Sequence, residues 1–321
     1  YLNNTSYSRG QTYNYRFMSA GNLFGYTFSG LGNFQYNHLK QQKSFYIESL
    51  RLEFAKPYHS FLIGHFFPQY SELTLFNQKL EGLNFKLEKY DLFKITGFGG
   101  ISNEYEKITD VNSTAEYQQY LYGARVDFDN NIGNLYISSF RAIDDAASID
   151  TGTPVLGPIE NLVSTIGYNL NLFDSRQKFN FEYSRSKLDK NRKQDDIQTK
   201  KDFGVLSNIE SIWSNVFKTN IVYKSFGKNY YSAGNTALNA SEIGYRGFTA
   251  NYEYNPLDKL NITGFLENYY EDGFETSTTK TKHKIWDNTI KHKLNEANEL
   301  SLNTYWKDTY KEDATVDKLK T

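Results

Sequence analysis

The chain has 321 residues, with Lys+Arg 36 against Asp+Glu 37, a formal net charge of −1 and no Cys. Aromatic side chains make up 17% of it (Tyr 27, Phe 24, Trp 3), while all hydrophobic types reach only 39% with tyrosine counted, and the mean hydropathy is negative. So many rings exclude a disordered chain, and the even charge balance gives no global field to recruit nucleic acid. The absence of Cys excludes disulfides, thiolate zinc sites and cysteine nucleophiles.

Alternation with period two runs along nearly the whole length and predicts strands. Near the N-terminus Phe24, Tyr26, Phe28, Phe34 and Tyr36 oppose Thr27, Ser29, Asn33, Gln35 and Asn37. Further on, Tyr120, Tyr122, Ala124, Val126 and Phe128 oppose Gly123, Arg125 and Asp127, and Leu162, Ile166, Tyr168, Leu170 and Leu172 oppose Thr165, Gly167, Asn169 and Asn171. The pattern continues with Phe179, Phe181 and Tyr183 against Lys178, Asn180 and Glu182, then with Phe217, Thr219, Ile221 and Tyr223 against Lys218, Asn220 and Lys224. It ends with Leu300, Leu302, Thr304 and Trp306 against Glu299, Ser301, Asn303 and Lys307.

Short polar turns are expected near Ala20-Gly21, Lys56-Pro57, Lys89-Tyr90, Asn130-Asn131, Asp174-Ser175, Trp213-Ser214, Asn255-Pro256 and Asn295-Glu296. Longer connections fall between them at 68–79, 102–115, 145–160, 190–201, 229–240 and 271–279. An up-and-down barrel crossing an outer membrane places short turns on one side and long loops on the other. The expectation is therefore an all-β, antiparallel, up-and-down transmembrane β-barrel of about sixteen strands, each long enough for a tilted crossing. It is read as a single domain over 1–321, in a bacterial outer membrane. The apolar face is rich in rings near strand ends, as at Tyr168, Tyr183, Tyr252, Tyr254, Tyr270 and Trp306, which suits the interfacial girdles of such barrels. No stretch approaches the roughly 18 apolar residues of a transmembrane helix. The first residue is Tyr1, so either a signal peptide has been removed or the sequence is an interior piece of a longer one.

Gly64-His65-Phe66-Phe67-Pro68-Gln69-Tyr70-Ser71-Glu72-Leu73-Thr74-Leu75, then Leu80-Glu81-Gly82-Leu83 and Thr96-Gly97-Phe98-Gly99-Gly100, are the most distinctive stretches. With Tyr122-Gly123-Ala124-Arg125-Val126 and Asp144-Asp145 followed by Ser148, they resemble a pattern in bacterial outer-membrane barrel proteins. In that pattern a Gly-(Asp/Asn)-aromatic strand end runs into a (Phe/Tyr)-Ser-x-x-Thr-Leu loop, and Lys/Arg-Gly reopens the next strand. The resemblance covers about a third of the chain and implies fold and compartment, not a substrate. Two positions depart from it: His65 stands where an acid or amide is expected, and Glu81 where a base is expected.

No catalytic or cofactor-binding set emerges, so no enzyme activity and no cofactor is expected. The five His (His38, His59, His65, His283, His292) lack metal-ligand spacing; His59 and His65 would stand roughly 20 Å apart on an extended strand. Gly97-Phe98-Gly99-Gly100 closes a strand rather than opening a helix, and Asp144-Asp145 and Asp195-Asp196 read as solvated loop charge.

Chemistry is left to the polar face. The inward, lumen-lining positions expected from the alternation are Arg51, Glu53, Lys86, Lys94, Arg125, Asp127, Lys178, Glu182, Glu210, Lys218, Lys224, Lys259, Glu267, Asp287 and Lys291. Both signs occur, often two residues apart, as in Arg51/Glu53 and Arg125/Asp127; a strongly selective pore would carry one sign. Two functions arise as expectations. One is a porin-like channel, with membrane lipid and small hydrophilic solutes as its partners. The other is a scaffold or secretion barrel holding a protein in the lumen or at the rim, suggested by the non-aromatic ending Val316-Asp317-Lys318-Leu319-Lys320-Thr321.

Overall fold

The computed structural model describes residues 11–39, 42–89, 92–103, 117–149, 157–193, 199–235, 238, 244–272 and 279–313. Parts of the expected connections 102–115, 145–160, 190–201, 229–240 and 271–279, with Asp195-Asp196 and Val316–Thr321, lie outside them. The first strands are β1 (Gln11–Leu23), β2 (Tyr26–Leu39), β3 (Gln42–Lys56), β4 (His59–Phe66), β5 (Leu80–Lys89) and β6 (Phe93–Asn103). Then come β7 (Gln119–Asn130), β8 (Gly133–Asp144), β9 (Glu160–Leu172), β10 (Gln177–Asp189), β11 (Lys200–Ser214) and β12 (Phe217–Phe226). The last are β13 (Tyr245–Leu257), β14 (Leu260–Asp272), β15 (Thr279–Lys293) and β16 (Glu299–Asp313).

All sixteen belong to one sheet in strict chain order, each antiparallel to the next, which is an up-and-down meander. Among the described residues β1 and β16 are its two edges, and no helix is long and apolar enough to cross a membrane. Strands this long form because the side-chain period matches the pleat, so each exposes one uniform row to each side.

Register fixes which row is which. Phe179↔Ile209↔Ile221↔Ala250 runs across four strands on one face, and Glu210↔Asn220↔Asn251 across three on the other. The first face is open: Phe181, Ile166, Ile221, Leu266 and Leu302 are exposed. The second, over β4–β10, is covered: Leu121 and Val163 are 0% and Phe140 1% exposed. An apolar row facing outward beside a polar row facing inward is the arrangement lipid requires.

Most turns fall where the sequence places them, and three slip. The first hairpin turns at Phe24-Gly25, both with positive φ (51° and 75°), not at Ala20-Gly21. Two positive φ values are what a tight hairpin needs and what glycine supplies most readily. Gly21 instead continues β1 opposite Phe28. The other two slips fall at bulges: register shifts between Ile212 and Ser214, and between Tyr254 and Leu257. The turns therefore move on to Asn215-Val216 and Asp258-Lys259, and Pro256 is carried inside β13, where a bulge tolerates its missing N–H.

Candidate functional site: the narrowed lumen

Segment 67–79, between β4 and β5, does not project from the barrel end. It folds onto the inner face, where Tyr70 is 3% and Leu73, Thr74 and Leu75 are 0% exposed. Tyr70 N donates to Leu75 O at 2.9 Å and Thr74 N to Ser71 O at 3.2 Å, closing the segment on itself. Tyr70 and Leu75 pack in one cluster with Phe66, Leu80, Phe98, Leu121, Phe140, Val163 and Ala233, with the Tyr70 ring edge-on to Phe98 at 5.0 Å. The segment after β12 folds in to meet it. Phe76 N donates to Gly234 O at 3.0 Å, the Asn235 amide to Glu72 O at 2.6 Å, and Ser232 hydroxyl to Thr74 O.

The wall beneath supplies matching polar groups. Tyr230 hydroxyl donates to Leu73 O at 2.6 Å and lies 2.9 Å from Ser184 Oγ, itself 2.9 Å from Thr165 Oγ1. Asn161 Nδ2 donates to Tyr231 O at 3.2 Å, and its Oδ1 accepts from Ala233 N at 2.9 Å. Buried backbone polar groups need such partners, so the small polar row of β9 and β10 is what allows two loops to enter the lumen.

The charged centre lies beside them. Arg125 holds Asp127 through Nε at 2.9 Å and Nη2 at 2.6 Å, donates to Tyr70 O, and lies 3.8 Å above the Tyr136 ring. Tyr136 hydroxyl in turn donates to Glu182. Tyr136 and Glu182 stand on β8 and β10, both opposite Gly167 of the strand between. The missing side chain of Gly167 is what lets the tyrosine reach across. Leu73 N, at 3.4 Å, also points to Glu182.

Other expected inward charges occupy the same face without joining this centre. Arg51 bonds Glu53 at 2.6 Å, and Lys86 pairs with Glu88. Lys94 stands opposite both Glu88 and Asp127 in register. Lys178 stands opposite Glu210, whose carboxylate takes an amide N–H of Asn208 at 3.4 Å. Lys218 lies 3.9 Å from Glu253 and Lys291 3.9 Å from Glu299. Lys224 stands opposite Leu206, and Glu267 accepts from Tyr245. Lys218, Asn220, Asn251, Glu253, Asp287 and Thr289 line an open recess of about 430 Å³ on β12–β15. Lys259 differs: it occupies the β13–β14 turn and belongs to neither face, because the bulge at Tyr254/Leu257 carries β13 past the expected turn.

The two departures from the outer-membrane pattern meet. His65 and Glu81 stand opposite each other on β4 and β5 with Nε2 and Oε2 3.6 Å apart. Positive φ at Gly64 (107°) accompanies this end of β4, and Leu50 N donates to His65 Nδ1 at 2.8 Å. His59 is occupied elsewhere, 2.8 Å from Tyr26 hydroxyl.

No family model matches the sequence and no curated protein matches it. Solved structures do. Acinetobacter baumannii OccAB3 superposes with a TM-score of 0.53 at 12% identity, covering 94% of this chain and 87% of that one. The outer membrane protein OpdK of Pseudomonas aeruginosa gives 0.52 at 7% identity, covering 94% of each chain. A BenF-like porin from Pseudomonas fluorescens Pf-5 gives 0.52 at 8%, covering 94% and 86%. The chain has the fold of an outer-membrane porin. At these identities the likeness concerns architecture alone, so the lumen's chemistry must be read from this chain's own residues.

Burial raises the Tyr70 phenol well above its ordinary value of 10.0, with Arg125 opposing and Asp127 reinforcing the shift, and burial raises that of Tyr230 too. A raised value means the docked segments favour neutral phenol. Their docking is therefore fully supported below pH 10.0 and is lost as the pH climbs through the raised values. In an alkaline titration followed by tyrosinate absorbance, a late-ionising class should be present. It should shrink in Tyr70→Phe and in Tyr230→Phe; titration curves superimposable on wild type would refute the docking.

Proposed function

We propose that the chain is a porin-like channel of the bacterial outer membrane that passes small hydrophilic solutes, a single barrel domain across residues 1–321. The observation that carries this reading is the division of the lumen. Two inward loops narrow one side over β4–β12, while the wall over β12–β15 keeps an open recess of about 430 Å³ in which Lys218, Asn220, Glu253 and Asp287 join Phe265. An unobstructed barrel of this strand number leaves a wide aqueous bore, and folding loops into it turns a bore into a sieve. The solved porins named above share the architecture over most of their length, and OpdK is itself an outer membrane protein, which supports both the compartment and the channel.

Polar and charged groups of both signs line the path, and several are paired on one strand (Arg51–Glu53, Lys86–Glu88, Arg125–Asp127). Residues two apart on a strand lie about 7 Å from each other, inside the Debye length of about 8 Å at physiological salt, so at longer range their fields cancel. The pore should therefore show weak ion preference. Lys218→Glu with Lys224→Glu, on one strand of the open wall, should move the reversal potential of planar-bilayer currents towards cations. Strong selectivity in the wild type would count against the reading. A wild-type barrel that conducts nothing and brings down a stoichiometric protein would replace it with the scaffold.

A further inference from the structure

Outward-facing cations gather at one end of the barrel. On β10, Arg185 and Lys187 are exposed on the same row as Phe181, two and three steps further towards the long connection. Lys187 stands directly opposite Lys201 of β11, which is also exposed. Like charges facing each other across a sheet repel, and among the described residues neither lysine pairs with a carboxylate. Arg185 donates to Tyr183 hydroxyl at 3.0 Å, and the Tyr183 ring stacks on Phe203, 6.3 Å away.

Other strands carry further cations on their outward rows, and Arg141 stands level with Lys187 across Leu162. Arg141 on β8 and Arg192 beyond β10 share the single carboxylate of Glu160, at 2.6 and 3.4 Å. Arg246 on β13 donates to Ser225 at 3.3 Å. Lys282 and Lys284 on β15 lie over the rings of Tyr270 and Tyr310 at 4.7 and 5.8 Å. Glu160, Asp189 and Asp308 are acids on these outward rows, Asp189 opposite Glu160 and Asp308 opposite Lys284. Turn-ward of Lys187 runs the apolar belt of Ile166, Phe181 and Ile221, and Leu162 itself stands between Arg141 and Lys187. The turn end also carries outward cations, Lys56 over the Tyr26 ring at 4.0 Å and Lys89, but they stand apart among apolar tips, Phe24, Tyr58, Leu92, Ile132, Phe173 and Trp213.

We propose that this outer face, centred on Arg185, Lys187 and Lys201, binds the phosphate headgroups of anionic lipid in the leaflet at the loop end. The inference rests on the membrane reading above. An apolar belt fixes the depth of the acyl chains, so the next residues outward meet headgroups. Arginine and lysine on aromatic supports suit phosphate at that depth, and a phosphate between Lys187 and Lys201 converts their repulsion into a bridge.

The test uses the full chain in phosphatidylcholine nanodiscs, with and without diphosphoryl lipid A, and counts retained lipid by native mass spectrometry. Arg185→Gln with Lys187→Gln and Lys201→Gln should lower lipid A retention about fivefold for each cation removed. Lys56→Gln with Lys89→Gln at the turn end should leave it unchanged. Equal losses in the two variants, or no loss in the first, would overturn the proposal. On the wild-type barrel alone, rising salt should release the lipid; retention indifferent to salt, or displacement by an equal concentration of inorganic phosphate, also overturns it. Single-channel conductance of the first variant should stay at the wild-type value, which separates loss of lipid binding from failure of the channel.

Discussion

Arg125→Leu should destabilise the barrel by about 3–5 kcal/mol, the cost of leaving a buried charge without its partner. Asp127 is the charge in question: its side chain is 6% exposed against 18% for Arg125, and two guanidinium nitrogens hold it at 2.6–3.0 Å. The same substitution removes the donor to Tyr70 O and the cation above Tyr136, so segment 67–79 loses its attachment to β7. Two readouts should move together: the midpoint of a urea refolding titration in detergent should fall, and single-channel conductance should rise as the loop leaves the lumen. Arg125→Leu with Asp127→Leu should recover much of the stability, because no uncompensated charge remains. It should stay more conducting than wild type, because the donor to Tyr70 O is still gone. A single variant as stable as wild type would show that the pair is not buried beneath the inward loop.

Ile221→Lys should cost about 2–4 kcal/mol, while Asn220→Lys one residue earlier should cost little. Ile221 is 41% exposed on the outer row between Ile209 and Ala250. Asn220 stands on the inner row between Glu210 and Asn251, beside the open recess. Phe181→Lys against Asn180→Lys repeats the comparison on β10, where Phe181 is 36% exposed. The contrast comes from the period of the strand, since a slip of one residue exchanges the two rows entirely. Equal losses for both members of a couple, in refolding into vesicles, would mean that the outer row does not face lipid.

Strand number, direction and facing were legible because alternation is a repeated signal, and Phe179, Phe181 and Ile221 carry it without ambiguity. Turn positions were less legible where a bulge intervenes. Pro256 and Ser214 look like breakers in the sequence, yet the register shifts beside them let β13 and β11 run on. Same-strand ion pairs such as Arg125–Asp127 could be seen from spacing. The link from Tyr136 to Glu182 could not, since it spans two strand gaps and depends on register. Nor did the sequence reveal that segment 67–79 enters the barrel. The available signal was Tyr70, Leu73, Leu75 and Phe76 within a dozen residues, more apolar surface than a water-facing loop carries. The resemblance had marked that segment and the odd pair His65 and Glu81, but only the sheet register shows the latter as opposite neighbours.

Every strand of this sheet pairs with its neighbour in the chain, so the wall can be assembled one hairpin at a time from contacts that are close in sequence. The joint between the two inward loops is of another kind. Thr74 and Ser232 are 158 residues apart, and Glu72 and Asn235 are 163 apart. Contacts of such separation carry the loop-closure entropy of everything between them and form late. Insertion should therefore pass through a wide, leaky cylinder. Permeability measured during refolding should rise first, then decline in a slower phase as β12 and the segment after it bring the second loop to the first.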